Sequence, residues 1–85
     1  MAYQIEIKSS ALKELQALSI SVRERAITHI DALGKEPRPL GSRKLAGTAR
    51  AYRIRFGMYR IVYEIQDEKL VVLVIRVAHR REVYR

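Results

Sequence analysis

Residues 50–77, RAYRIRFGMYRIVYEIQDEKLVVLVIRV, decide the fold of this chain. Arg50 to Phe56 and Met58 to Ile65 alternate apolar with polar side chains, the period of strands buried on one face. Leu70 to Val77 is an almost unbroken apolar run of strand length. Gly57 marks one turn and Gln66-Asp67-Glu68-Lys69 the next. Connections this short make the three strands an antiparallel meander.

Upstream, Tyr3 to Lys8 (YQIEIK) alternates again and predicts a further strand. Ser9 or Ser10 can cap a helix whose apolar stripe is Leu12, Leu15 and Leu18, helped by Ala11. Ser19-Ile20-Ser21 interrupts it. Ser21 and Glu24 have capping-box spacing for a second helix, with Val22, Ala26, Ile30 and Leu33 on its buried face and Ile27 beside them. Gly34 and Pro37 end that helix. Gly34 to Gly47, with three Gly and two Pro, predicts a basic loop. The expected fold is α+β, in the order β-α-α-β-β-β. An antiparallel sheet carries the N-terminal helical hairpin on one face, within a single domain spanning residues 1–85.

Alternation also assigns the faces. Tyr52, Ile54 and Phe56 share the core side, as do Tyr59, Ile61, Tyr63 and Ile65. On the last strand Val71, Leu73, Ile75 and Val77 are expected inward. The three tyrosines at 52, 59 and 63 are therefore core residues and not a base-stacking platform. Arg53, Arg55, Arg60 and Arg76 fall on the opposite face, with Glu64 among them. Four like charges on one sheet face repel one another unless carboxylates neutralise them or an anion is the guest.

The formal net charge is +8 and the pI about 10.3. The charge is uneven: 34–60 and 76–85 hold 12 of the 17 Lys and Arg, opposed there by Glu36 and Glu82 alone. Nucleic acid is the leading partner class for such a balance, ahead of an anionic membrane. The bias towards Arg suits planar, bidentate phosphate contacts. The chain has no Cys, which removes disulfides and thiolate metal sites and fits a reducing compartment. No apolar run has the length of a membrane span and no signal-peptide pattern opens the chain, so a cytoplasmic location is expected. His29 and His79 are far apart and the acids scattered, so no metal centre is expected. His29 itself lies off the apolar stripe of its helix and is read as incidental.

The segment after the last strand, His79-Arg80-Arg81-Glu82-Val83-Tyr84-Arg85, gathers groups that bind phosphate, move a proton and stack on a base. Together with Tyr52-Arg53-Ile54-Arg55, with Tyr59-Arg60-Ile61-Val62-Tyr63 and with the element order, it resembles the RelE toxins of the RelE/ParE superfamily. The resemblance covers essentially the whole chain. It implies a toxin that enters the ribosomal A site and cuts mRNA without metal or other cofactor. The 2′-hydroxyl attacks its own 3′-phosphate, leaving a 2′,3′-cyclic phosphate and a free 5′-hydroxyl. It also implies a cognate antitoxin that wraps the toxin, and operator DNA bound by the complex mostly through that antitoxin. The charge of this chain adds that the antitoxin segment in contact with it is acidic.

In the family pattern two Lys, one residue apart, occupy the positions of Arg53 and Arg55. The Arg of the next strand corresponds to Arg60, the Arg beyond the last strand to Arg80, and the terminal aromatic to Tyr84. His79 stands where the best-known members carry Lys. The expected catalytic set is thus Arg60, His79, Arg80, Tyr84, Arg53 and Arg55. Arg60 and Arg80 take the scissile phosphate, since preorganised charge on the transition state is often the largest catalytic contribution. Arg53 and Arg55 bind flanking phosphates or stabilise charge; a guanidinium keeps its proton at neutral pH and is no general base. His79 can carry a proton, or else close the strand end through a hydrogen bond. Tyr84 can stack on a base or orient the 2′-hydroxyl, or else pin the C-terminus. Arg43, Lys44, Arg76 and Arg81 are expected RNA contacts. Two other readings go with the same fold: a ParE-like gyrase poison, and a non-catalytic RNA- or ribosome-binding module.

Overall fold

The computed structural model describes residues 2–79 and 81. Its elements are β1 (Gln4–Ile7), α1 (Ser9–Gln16), α2 (Ile20–Lys35), β2 (Arg43–Lys44), β3 (Ala51–Phe56), β4 (Tyr59–Gln66), a 3₁₀ turn at Asp67–Lys69, and β5 (Val71–His79). They form one five-stranded sheet in the order β1-β5-β4-β3-β2. The meander is as expected: β3 pairs antiparallel with β4, and β4 with β5. Gly57, at φ +56°, takes the first position of the two-residue β3–β4 turn, where a side chain would be strained.

Two features were not foreseen. β1, which precedes the helices, lies parallel to β5, with Ile5 opposite Val72 and Ile7 opposite Val74. And the predicted loop holds a two-residue strand, β2, which sets Arg43 opposite Arg53 and Lys44 opposite Tyr52. Gly34 lets the end of α2 approach the start of β1: its carbonyl accepts the Tyr3 N–H at 2.6 Å, and a β-carbon there would lie 3.1 Å from the Tyr3 carbonyl oxygen.

Both helices cover one face. Ala11 and Leu15 of α1 and Ala26, Ile30 and Leu33 of α2 are buried with Ile54, Phe56, Ile61, Tyr63, Ile65, Val72, Val74 and Val77 of the sheet. The α1 stripe runs through Ala11 and Leu15, leaving Leu12 exposed, and Ile27 on α2 is exposed as well. Neither helix has the predicted cap. α1 starts directly after Lys8, and α2 starts at Ile20 after Ser19, without a side-chain cap on either. Arg23 closes the end of α1 instead, donating to the carbonyls of Gln16 at 2.9 Å and Leu18 at 3.1 Å.

Of the four residues expected inward on β5 only Val77 is, for a definite reason. Val62 pairs with Arg76 but Tyr63 with Val74, so Ile75 is an extra residue bulged out of the ladder. A bulge reverses strand parity. Before it, Val72 and Val74 face the helices, both 0% exposed, while Val71 and Leu73 lie on the other side. After it, Val77 faces inward as expected.

Candidate nucleic-acid interface

The sheet face away from the helices is built by register. Arg55 and Arg60 are direct cross-strand partners, with Ala78 next in that row. Two residues along, Arg43, Arg53, Val62 and Arg76 form a second row across four strands. The structure thus brings together the predicted Arg53, Arg55, Arg60 and Arg76 and adds Arg43 as a sheet residue, where the sequence suggested a loop. Lys44 goes to the opposite side with Tyr52.

Like charges placed directly opposite in a ladder destabilise a sheet. Here that occurs twice, at Arg43–Arg53 and at Arg55–Arg60. Glu64 does not relieve it, since its Oε1 accepts from Gln66 at 3.2 Å. Arg43, Arg53 and Arg55 make no ion pair among the described residues, and Nη1 of Arg53 is buried with no hydrogen-bond partner among them. Arg60 is the innermost of the set, 5% exposed on β4, the central strand. Arg76 differs: its Nη2 lies 3.1 Å from Oε2 of Glu14 on α1. Arg43, Arg53 and Arg55, on adjoining ladder positions without a carboxylate partner among the described residues, are arranged for an anion that arrives from outside.

His79 stands apart from this face. It is opposite Tyr59 in the ladder and makes an edge contact with that ring, centroids 5.5 Å apart, on the helix side of the sheet. Its Nδ1 accepts the Arg81 N–H at 3.3 Å, so a neutral imidazole there carries its proton on Nε2. An aromatic row leads away from it through Tyr59 and Phe56 to His29, each ring 5.2–5.5 Å from the next. His29 thus packs on Phe56 and caps the core edge. Arg80 and Tyr84 lie outside the described residues.

The basic loop is fixed near its start. Arg38 reaches Asp67 at 2.8 Å and Tyr52 at 3.3 Å, and Tyr3 also donates to Asp67. The Arg38 and Tyr3 hydrogen bonds hold the Asp67 carboxyl below its ordinary range. The Tyr63 hydroxyl donates to the Pro37 carbonyl at 2.7 Å, and burial pushes it up to about 12. Between this loop and α2 lies a groove of about 420 Å³ lined by His29, Leu33, Leu40, Arg43, Ile54 and Arg55, which sequence reading missed. Among the described residues no group of three or more His, Cys, Asp or Glu could hold a metal ion, and no helix is long and apolar enough to cross a membrane.

Residues 5–84 match the family described as ParE toxin of type II toxin-antitoxin system, parDE. The mRNA interferase toxin RelE of Escherichia coli K12 is 40% identical over 88 residues, covering 99% of this chain and 92% of the relative. Toxin RelG of Mycobacterium tuberculosis is 34% identical, covering 100% and 99%. Among solved structures, a mutant of E. coli RelE in the free state superposes with a TM-score of 0.83 at 38% identity, over 99% of this chain and 92% of that one. The toxin in the intact E. coli RelBE toxin–antitoxin complex gives 0.82 at 36%, over 92% and 96%. The chain belongs to the RelE-type toxins of the RelE/ParE toxin–antitoxin superfamily.

Proposed function

We propose that this chain, one toxin domain over residues 1–85, is the toxin of a type II toxin–antitoxin pair and an mRNA endoribonuclease that works in the ribosomal A site. The observation that carries the reading is the double row of arginines on the open sheet face, with Arg60 buried on the central strand. The relatives named mRNA interferase support it.

The reaction needs no external nucleophile. The 2′-oxygen of a nucleotide forms a bond to the adjacent phosphorus as its proton leaves. The bond from phosphorus to the 5′-oxygen breaks, and that oxygen takes up a proton. Charge builds on the non-bridging oxygens as phosphorus becomes five-coordinate. Arg60 and Arg80 meet that charge, and because Arg60 is buried in the sheet before substrate arrives, little reorganisation is left for it to do. Arg55, directly beside Arg60, shares the same phosphate, while Arg53 and Arg43 in the second row hold a neighbouring one. Tyr84 is a proton carrier of the set and also offers a ring to a base, while His79, on the helix side of the sheet, closes the end of β5 through its hydrogen bond. Arg76, Arg81 and Lys44 are peripheral RNA contacts, with Arg76 partly neutralised by Glu14. No step calls for a cofactor.

The partner that restrains the toxin is an antitoxin, as in the RelBE complexes among its structural neighbours. Its toxin-contacting segment is acidic, to match the arginine face. The pair binds its operator through the antitoxin. A ribosomal substrate places the action in the cytoplasm. One observation favours a second reading: the matching family is described as ParE toxin, and a ParE-like member would poison DNA gyrase without hydrolysing RNA.

Expression from a tightly repressed promoter, followed by mapping of mRNA 5′ ends, separates the two. Cuts in phase with codons inside translated frames, lost in Arg80→Ala, are the expected result. Growth arrest with DNA damage and whole mRNA would overturn the ribonuclease reading.

A further inference from the structure

β1 accompanies β5 only as far as Val74. The Lys8 N–H donates to the Val74 carbonyl at 2.9 Å, and the chain then turns away into α1. From the bulge at Ile75 onward, one edge of β5 has lost its neighbouring strand. The part left unsupported runs through Ala78, the ladder partner of Arg60, to His79 at the end of β5. Packing does not close the gap: a groove of about 390 Å³ lies there, lined by Glu14, Leu18, Tyr59 and His79 among others.

A single carboxylate takes the place of the missing strand. Oε1 of Glu14 accepts the Val77 N–H at 3.0 Å, and Oε2 accepts Nη2 of Arg76 at 3.1 Å. Glu14 is held for this by its neighbour in α1, Leu15, which is 4% exposed in the core. A hydrogen bond from a backbone N–H to a charged carboxylate is roughly twice as strong as a neutral one. The same group neutralises Arg76, the outer member of the second arginine row.

We propose that Glu14 is a positioning residue of the ribonuclease site: by bridging the Val77 N–H and the Arg76 guanidinium it fixes the end of β5, and so the placement of Ala78 and its ladder partner Arg60. The proposal rests on the ribonuclease reading. It makes two demands of Glu14 that a mere surface ion pair does not: an acceptor aimed at one backbone amide, and an effect on the chemical step while substrate capture is spared. Displacement of a reacting group by about 1 Å can cost roughly a hundredfold in rate.

The test uses Glu14→Ala and Glu14→Gln in the full chain. Glu14→Gln keeps an oxygen for the Val77 N–H and loses the charge. Cleavage of mRNA on programmed ribosomes should fall about tenfold or more in kcat for Glu14→Ala, with KM changed less than about threefold. Glu14→Gln should recover most of the loss. The Val77 amide should be protected from hydrogen exchange in the wild type and in Glu14→Gln and exchange faster in Glu14→Ala. Equal exchange in all three proteins overturns the proposal whatever the activity. So does a folded Glu14→Ala that cuts at the wild-type kcat, or a Glu14→Gln as poor as Glu14→Ala. A wild type that leaves mRNA whole while Val77 behaves as described overturns the ribonuclease reading, and with it the role of Glu14 in catalysis.

Discussion

Replacing Tyr63 by Phe removes one oxygen from the middle of β4. Tyr63 is 0% exposed, and its hydroxyl donates to the carbonyl of Pro37, itself buried, at 2.7 Å. A buried acceptor stripped of its donor costs about 1–3 kcal/mol. In a domain of this size that corresponds to a fall in Tm of about 5–20 °C. The alkaline limb gives a second, independent number. Burial raises the Tyr63 hydroxyl from 10.0 to about 12. Because the folded-state value is the higher one, the associated stability is complete below the unfolded value and is lost as pH climbs from 10.0 through about 12. Two pKa units correspond to roughly 2–3 kcal/mol. Tyr63→Phe has nothing to ionise there, so the gap between wild type and variant should be widest near neutrality and shrink across that window. Urea denaturation followed by circular dichroism, on both proteins from neutral to alkaline pH, measures it. No gap near neutrality, or a gap that stays constant through the alkaline range, would refute the reasoning. The functional consequence is local: Pro37 opens the loop that delivers Arg43 to β2.

The bulge on β5 predicts that Val74→Ala costs about 2–3 kcal/mol, as a fully buried side chain should, and Leu73→Ala clearly less; equal costs in urea denaturation would mean that the strand alternates without interruption. Asp67→Asn should flatten the acid limb of stability. The carboxyl is held low by Arg38 and Tyr3, so its contribution is present above the ordinary carboxylate range and lost as pH falls through the folded-state value; an acid unfolding midpoint unmoved by the substitution would count against the clasp. Arg43→Ala should weaken association with programmed ribosomes several-fold and lower the salt slope of binding by about 1. Lys44→Ala, on the other side of the sheet, should do less, and a larger effect of Lys44 would place the RNA elsewhere.

What could be read in the sequence followed from how local each signal is. The hairpin of β3 and β4 keeps a strict period of two around a two-residue turn, so Arg53, Arg55 and Arg60 fell on one face by counting. β5 defeated the same counting because Val71 to Ile75 is apolar at every position, and an extra residue in such a run leaves no mark. The pairing of β1 with β5 joins segments more than sixty residues apart and has no local signature. β2 is two residues long inside a stretch rich in Gly and Pro, so Arg43 read as a loop residue although it extends the second arginine row. His79 was picked for its chemistry, yet its parity with Val77 was already visible and put it on the helix side with Tyr59. Glu14 looked like any polar residue on an amphipathic helix; its role appears only once β1 is seen to leave β5 at Val74.

The account stands most directly on the chemistry of the cut ends. Purified toxin should be added to ribosomes carrying a defined mRNA, and the new termini analysed for wild type and Arg60→Ala. The account predicts cleavage within the A-site codon by the wild type, 2′,3′-cyclic phosphate and 5′-hydroxyl ends, and loss of the cut in a folded Arg60→Ala. An mRNA that stays whole, or ends bearing a 5′-phosphate, would contradict it.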